Sequence, residues 1–287
     1  MNLREYDISS PFEATVVRSE RITPEGFDVE VRHIVLDVPD SRFHVVEGQS
    51  VGVLAPGSAA FGQKHQFRLY SVASARNGED GDMSTISLCV RRCFYIDDVS
   101  GEQYPGIASN YLCDRRPGDV IEVTGPYGRQ FMMPKQSDAN LLMIGVGTGI
   151  APFRAFIKHI YEERKGWKGK VRLYYGAKSG TELLYMNDIK NDMGQYYDDT
   201  TFQAFDAVSP RPHFDEPIAL DAKLQEHRGE IWEMLQDPKT YVYVAGLENL
   251  RAVLDTAMTS VAGSAAAWQT TKAQLEAEKR WSELLYA

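Results

Sequence analysis

Two short stretches hold residue types that can do chemistry together. Leu141-Leu142-Met143-Ile144 reads as a short buried strand of a parallel sheet. Gly145, Gly147 and Gly149 follow at alternate positions and let the backbone turn tightly against a ligand. Pro152 then falls in a first helical turn, and Phe153 to Tyr161 carries a helical apolar stripe. A strand, a glycine turn and a helix N-terminus make an anion site, because unpaired amides and the helix dipole converge. Alone, the glycines read equally well as a tight turn of any α/β domain. The second stretch is Arg68-Leu69-Tyr70-Ser71. In a strand Arg68 and Tyr70 share one face, and Leu69 and Ser71 the other. An arginine fork beside an aromatic plane and a hydroxyl suits a phosphate-bearing aromatic cofactor. Alone, this stretch reads as an ordinary edge strand.

Both stretches need scaffolds. Residues 12–55 alternate as strands do, in Ala14-Thr15-Val16-Val17 and in the β-branched run Val29 to Leu36, followed by Ser50 to Leu54. After a polar loop over 57–65 come the Arg68 stretch, then Thr85 to Arg92, and then Val120 to Pro126. Short strands with frequent turn signals predict an antiparallel barrel of about six strands. Ser109 is placed to cap a short helix through Asn110-Tyr111-Leu112. The texture changes near Pro134 to Asp138, beyond which strands and helices alternate. Strands are expected at Leu141 to Ile144, Val171 to Gly176, Phe202 to Phe205 and Tyr241 to Gly246. Helices are expected from about Thr181 and over 221–235, 247–260 and 265–279, and Ser209-Pro210-Arg211-Pro212-His213 reads as a loop. Such alternation predicts a doubly wound parallel sheet whose ligand lies at the carboxyl ends of its strands. The domain boundary is placed at 136/137, giving units 1–136 and 137–287.

Composition narrows the function classes. The 287 residues suffice for two cores, and 43% hydrophobic with 25% charged residues is ordinary for a soluble globular chain. No apolar run has membrane-span length, and the N-terminus has neither a signal nor a transit pattern. Cys89, Cys93 and Cys113 are odd in number and point to a reducing, cytoplasmic setting. With no second pair and no histidine near them, they do not read as a metal site. A net charge of -9 argues against nucleic acid as the main ligand. An acidic protein partner would need a local basic cluster, for which Lys64, His65, Arg68, Arg91, Arg92, Arg115, Arg116 and Arg129 are the candidates. Scattered solvated charges are the alternative for most of these.

The ordered set of motifs is more specific than any member. It comprises Arg68-x-Tyr70-Ser71, Cys89-Val90-Arg91-Arg92 with Tyr95, Gly106-x-x-Ser109-Asn110, Gly125-Pro126-x-Gly128, Gly147 to Arg154, Ala245-Gly246-Leu247 and the terminal Trp281-(x4)-Tyr286. From about residue 12 onward the chain resembles the plant-type ferredoxin–NADP reductases. The resemblance implies an FAD-binding barrel, an NADP-binding α/β domain, and exchange of a hydride with NADP(H) and of single electrons with ferredoxin or flavodoxin. It implies that Arg68, Leu69, Tyr70, Ser71, Cys89, Val90, Arg91 and Tyr95 contact FAD. Tyr70 would lie on the flavin, Ser71 near its N5 and Tyr95 on the adenine, while Gly106, Ile107, Ala108 and Ser109 hold the phosphates. It further implies that Thr148, Gly149, Ala151, Pro152, Arg154, Ser209, Arg211, Gly246 and Leu247 serve the nucleotide, and that Ser71 and Tyr286 act at the reacting centre.

Two positions depart from the family pattern. Ala245 stands where the family has a cysteine, and Leu284 where it has a glutamate two residues before the final tyrosine; Ala287 is an addition. Two rival readings share these motifs. One is the reductase component of an oxygenase, which would need its iron–sulfur cluster on another chain. The other is a docking module that has lost catalysis.

Overall fold

The computed structural model describes residues 3–57, 64–97, 99–197, 201–211 and 217–286, apart from the Arg4 side chain. Ala287, with Pro212-His213 and part of the 57–65 loop, lies outside the described residues. The chain divides into two units: Met1–Arg129 with Arg154–Phe156, and Gln130–Phe153 with Ile157–Ala287.

In the first unit, alternating apolar residues build β1 (Phe12–Arg21), β2 (Val31–Asp37), β3 (Ser50–Pro56), β4 (His65–Ser71) and β5 (Thr85–Arg91). A small hairpin follows, β6 (Phe94–Ile96) and β7 (Gln103–Pro105), then helix α1 (Ile107–Cys113) and β8 (Val120–Tyr127). The large sheet runs β4-β3-β8-β1-β2-β5, every pair antiparallel. A bridge between Val72 and Leu88, with Ala73 N–H donating to Ser87 O at 2.8 Å, joins its two ends and closes a six-stranded barrel. Val16, Ile34, Leu36, Val53, Leu88, Val90 and Val123 fill it, and α1 inserts Leu112 and Cys113 into the same core. Each such side chain contributes roughly 1.5–3 kcal/mol on burial.

The first unit also encloses an ion pair. The Arg154 guanidinium meets the Glu79 carboxylate at 2.7 and 3.0 Å and donates to Ala73 O at 2.9 Å, with both side chains buried. Burial alone would raise the Glu79 pKa, but His33 and Arg154 outweigh it and hold the carboxyl far below the usual range.

The second unit carries β9 (Asn140–Val146), α2 (Ile150–Lys158), β10 (Val171–Ala177), β11 (Phe202–Val208), α3 (Leu220–Glu226), α4 (Arg228–Gln236), β12 (Thr240–Leu247), α5 (Leu250–Ala262), α6 (Ala265–Ala277) and β13 (Trp281–Tyr286). Its sheet runs β11-β10-β9-β12-β13 and is parallel throughout. The strand order reverses between β9 and β12, the place where open α/β sheets take their ligands. All seven β10 residues are buried, which is why this strand does not alternate; its one charged residue, Arg172, is paired with Glu230 at 3.0 Å. Gly263 ends α5 in the left-handed conformation, and the Ser264 hydroxyl accepts from Ala267 N–H to start α6.

Several expectations are corrected. No α-helix begins near Thr181 among the described residues; a single 3-10 turn, Gly180–Glu182, is braced by Asn187 Nδ2 donating to Thr181 O and Ser179 Oγ pairing with Thr181 Oγ1. The helix expected over 221–235 is two, α3 and α4, meeting at His227, and the one expected from 247 starts at Leu250 because Leu247 still pairs with Tyr286 in the sheet. Ser109 is not the cap of α1. Gly106 is, and Ser109 lies inside the helix.

Candidate cofactor sites

In the first unit the Arg68 stretch stands on β4, opposite Ser50 to Val53 of β3. Arg68 is exposed and donates to Phe67 O, whereas Tyr70 is half-buried against the barrel core. Burial pushes the Tyr70 phenol well up, so it stays neutral at any working pH. On β5, Cys89 and Val90 are buried and Arg91 is exposed. The hairpin register sets Tyr95 opposite Tyr104, their rings stacked at 5.4 Å and 22°, and it leaves Tyr95 57% exposed. An exposed aromatic pair is a flat platform for a heteroaromatic ring. Tyr104 was not singled out by its sequence context; its signal is its place across a two-strand hairpin from Tyr95.

The start of α1 is braced from one side. Ser109 Oγ accepts from Cys93 N–H at 3.1 Å and donates to Gly106 O at 3.2 Å, while Asn110 Nδ2 donates to Cys93 O and Gly106 O. The Ser109 hydroxyl is therefore engaged with backbone. The donors left for phosphates are the first amides of the helix, at Ile107, Ala108 and Ser109, which have no partner within it.

In the second unit most of the expected nucleotide residues lie along the carboxyl end of the sheet. Gly147–Gly149 follows β9, Ser209 follows β11, Gly246 and Leu247 end β12, and Tyr286 ends β13. These are all carboxyl ends of one parallel sheet. Gly147 adopts φ +54°, and a Cβ on Gly149 would lie 2.3 Å from Ala245 O, so the turn is pressed against β12. That leaves the Thr148 side chain as the turn's polar group, and Thr148 Oγ1 and the Tyr286 hydroxyl hydrogen-bond at 2.6 Å. Leu284 is the register partner of Ala245, so the two departures from the family pattern are neighbours. Glu283 points elsewhere: Arg251 holds one of its oxygens at 2.7 and 3.0 Å and Trp281 Nε1 donates to the other.

Three expected nucleotide residues are differently disposed. Ala151 and Pro152 are buried in α2, and Pro152 has no amide to offer. Arg154 belongs with Glu79 in the first unit and is engaged there. Ser209 is buried and Arg211 exposed just beyond β11. A residue the motifs missed is Tyr175 of β10. Its hydroxyl donates to Gly147 O at 2.9 Å and accepts from Leu184 N–H at 3.3 Å, tying the glycine turn to the segment after β10. A buried tyrosine one residue before Gly176 was the available signal, since such a hydroxyl must find partners.

Comparison with known proteins bears on the same residues. Residues 14–131 match the family described as oxidoreductase FAD-binding domain, and residues 143–255 that described as oxidoreductase NAD-binding domain. A ferredoxin–NADP reductase of Thermosynechococcus vestitus is 35% identical over 283 residues, which cover 96% of this chain and 73% of that one. The chain belongs to the ferredoxin–NADP reductase family. A chloroplastic leaf ferredoxin–NADP reductase of Arabidopsis thaliana is 34% identical over 99% of this chain and 79% of its own. The solved ferredoxin–NADP reductase structure of Plasmodium falciparum shares the fold at a TM-score of 0.74, with 20% identity over 98% of both chains. As a member of this reductase family the protein is an oxidoreductase with FAD and NADP(H) as cofactors. Among the described residues no helix is long and apolar enough to cross a membrane.

Proposed function

We propose that the protein exchanges a hydride with NADP(H) and single electrons with ferredoxin or flavodoxin. FAD supplies the interchange between two-electron and one-electron steps. The protein's residues bind and orient. Arg68, Tyr70 and Ser71 on β4, the Tyr95–Tyr104 platform and the first amides of α1 match an anionic waist between two aromatic ends. The observation that carries the reading is the placing of Gly147–Gly149, Ser209, Leu247 and Tyr286 at the carboxyl end of one parallel sheet. The glycine turn offers amides to a pyrophosphate, and Arg211 with Ser209 is disposed for an adenosine 2′-phosphate. A charge-assisted contact of that kind is worth about 1.5–3 kcal/mol, so NADPH should be preferred over NADH by roughly 10–100-fold. Equal kcat/KM for the two nucleotides would remove Arg211 from this role.

Tyr286 is the residue set to compete with the nicotinamide. Its hydroxyl is held by Thr148 of the very turn that would cradle the pyrophosphate, so nucleotide entry and release of the tyrosine are linked. Tyr286→Ser should tighten nucleotide binding and strengthen the nicotinamide–flavin charge-transfer band. The direct test of the activity is stopped-flow reduction by NADPH followed by addition of a ferredoxin or a flavodoxin. Flavin reduction without onward transfer to either carrier would sink the carrier assignment. No reduction would leave only a docking module.

A further inference from the structure

Three of the basic residues noted in the sequence of this acidic chain gather with a neighbour that pattern alone did not select. Arg92, Arg115 and Arg116 line one hollow of about 310 Å³ on the first unit together with Arg32, Ser19 and Asp114. The hollow lies beyond the C-terminal end of α1, and none of the residues expected to hold FAD lines it.

Three of the four arginines are held in place before any ligand arrives. Glu30 divides its carboxylate between two of them, Oε1 accepting from Arg32 Nε at 2.6 Å and Oε2 from Arg92 Nε at 2.7 Å. Arg92 is fully engaged, its other nitrogens donating to Asn110 and Asp114 at 2.9 Å. Arg32 Nη1 donates to Ser19 O, and its Nη2 has no partner among the described residues. Arg115 lies over the Tyr111 ring at 4.6 Å and donates through Nε to Tyr111 O, so both of its terminal nitrogens are without a described partner. The Arg116 guanidinium likewise has none. Four guanidinium groups thus face three carboxylates, Glu30, Asp114 and Asp119, the last 3.8 Å from Arg115 Nε, in a chain of net charge -9.

We propose that this hollow is a binding site for a small phosphate monoester, separate from the flavin and the nucleotide sites. Guanidinium forks match phosphate oxygens two at a time, and donors already held in place lose little freedom on binding. The volume exceeds an inorganic phosphate and leaves room for a small organic group on its ester oxygen. An acidic side chain of a protein partner is the competing occupant, and the experiment separates the two.

The FAD-loaded protein is titrated with inorganic phosphate and with glycerol 3-phosphate by calorimetry, at constant ionic strength set with sodium chloride. Wild type and Arg211→Ala should bind both, the ester more tightly. Arg115→Ala and Arg116→Ala should each weaken binding roughly tenfold and leave FAD content and NADPH oxidation with ferricyanide unchanged. The proposal fails if neither probe binds, or if binding survives both pocket variants. Loss in Arg211→Ala alone assigns the anion to the nucleotide site and also overturns it. A raised KM for an acidic carrier in the pocket variants, without phosphate binding in wild type, makes this a protein-docking surface instead.

Discussion

The two cofactor cradles are made of different material. In the barrel the expected contacts are mostly side chains standing on strands and on a hairpin: Arg68, Tyr70, Ser71, Tyr95 and, with it, Tyr104. In the parallel-sheet unit they are mostly backbone, where a turn with Gly147 at φ +54° is pressed by Gly149 against Ala245. A side-chain cradle tolerates exchange of one group at a graded cost. A backbone cradle tolerates little, because an added methyl has to move the main chain.

The largest effect expected is on the barrel's stability rather than on its cradle. Glu79→Gln removes the carboxylate charge that faces the buried Arg154 and should lower unfolding free energy by about 3–5 kcal/mol, read by urea unfolding of the FAD-loaded protein. The wild type carries the same dependence in its pH profile. Because the folded Glu79 pKa is depressed, its stabilisation is complete above the ordinary value of 4.5 and is lost as pH falls below it. A variant as stable as wild type, with an unchanged acid limb, would mean that the pair contributes nothing net.

Gly149→Ala tests the backbone cradle directly. With 2.3 Å available to the new methyl, overpacking of about 1–3 kcal/mol should fall on the turn. Steady-state kcat/KM for NADPH should drop by roughly 10–100-fold, while the 450 nm flavin absorbance persists. Ser71→Ala tests the other cradle, and about a tenfold slower flavin reduction in stopped flow is expected, with FAD retained. If Ser71→Ala proved the more damaging of the two, the contrast between the cradles would be reversed. The smallest effect belongs to Tyr175→Phe, which removes one hydrogen bond from Gly147 O. Loss of about 0.5–1 kcal/mol predicts a two- to fivefold higher Kd for NADP+ by difference spectroscopy, with FAD binding untouched.

Much of this architecture was legible in the residues, and the exceptions share causes. Barrel strands showed themselves through alternation and β9 through its apolar run, because burial on one face or two dictates those patterns. The glycine turn was legible because only glycine fits there. The segment after Thr181 misled because its apolar residues, Leu183, Leu184 and Tyr185, are buried by an irregular turn rather than by a helix face. Trp281 to Tyr286 was not recognisable as β13, since one buried tryptophan in a half-buried run has no period to detect. Arg154 sits in the nucleotide motif, yet its charge answers a carboxylate 75 residues upstream, a pairing no local pattern contains. Tyr175 was hidden differently: its ring belongs to the core pattern, and only its hydroxyl matters to the turn.

The register of β13 against β12 has a consequence for how such a chain tolerates insertion and deletion. Six consecutive pairs, from Val242–Trp281 to Leu247–Tyr286, fix which side chains face which way. Losing a residue between α6 and β13 changes only the connection. Losing one inside β13 shifts every later residue by one pleat, exchanging the two faces of the strand. Glu283 would then leave Arg251, and the tyrosine would turn away from Thr148. Length variation is therefore confined to the joints of this unit, while the strand that carries Tyr286 can change its letters but not its count.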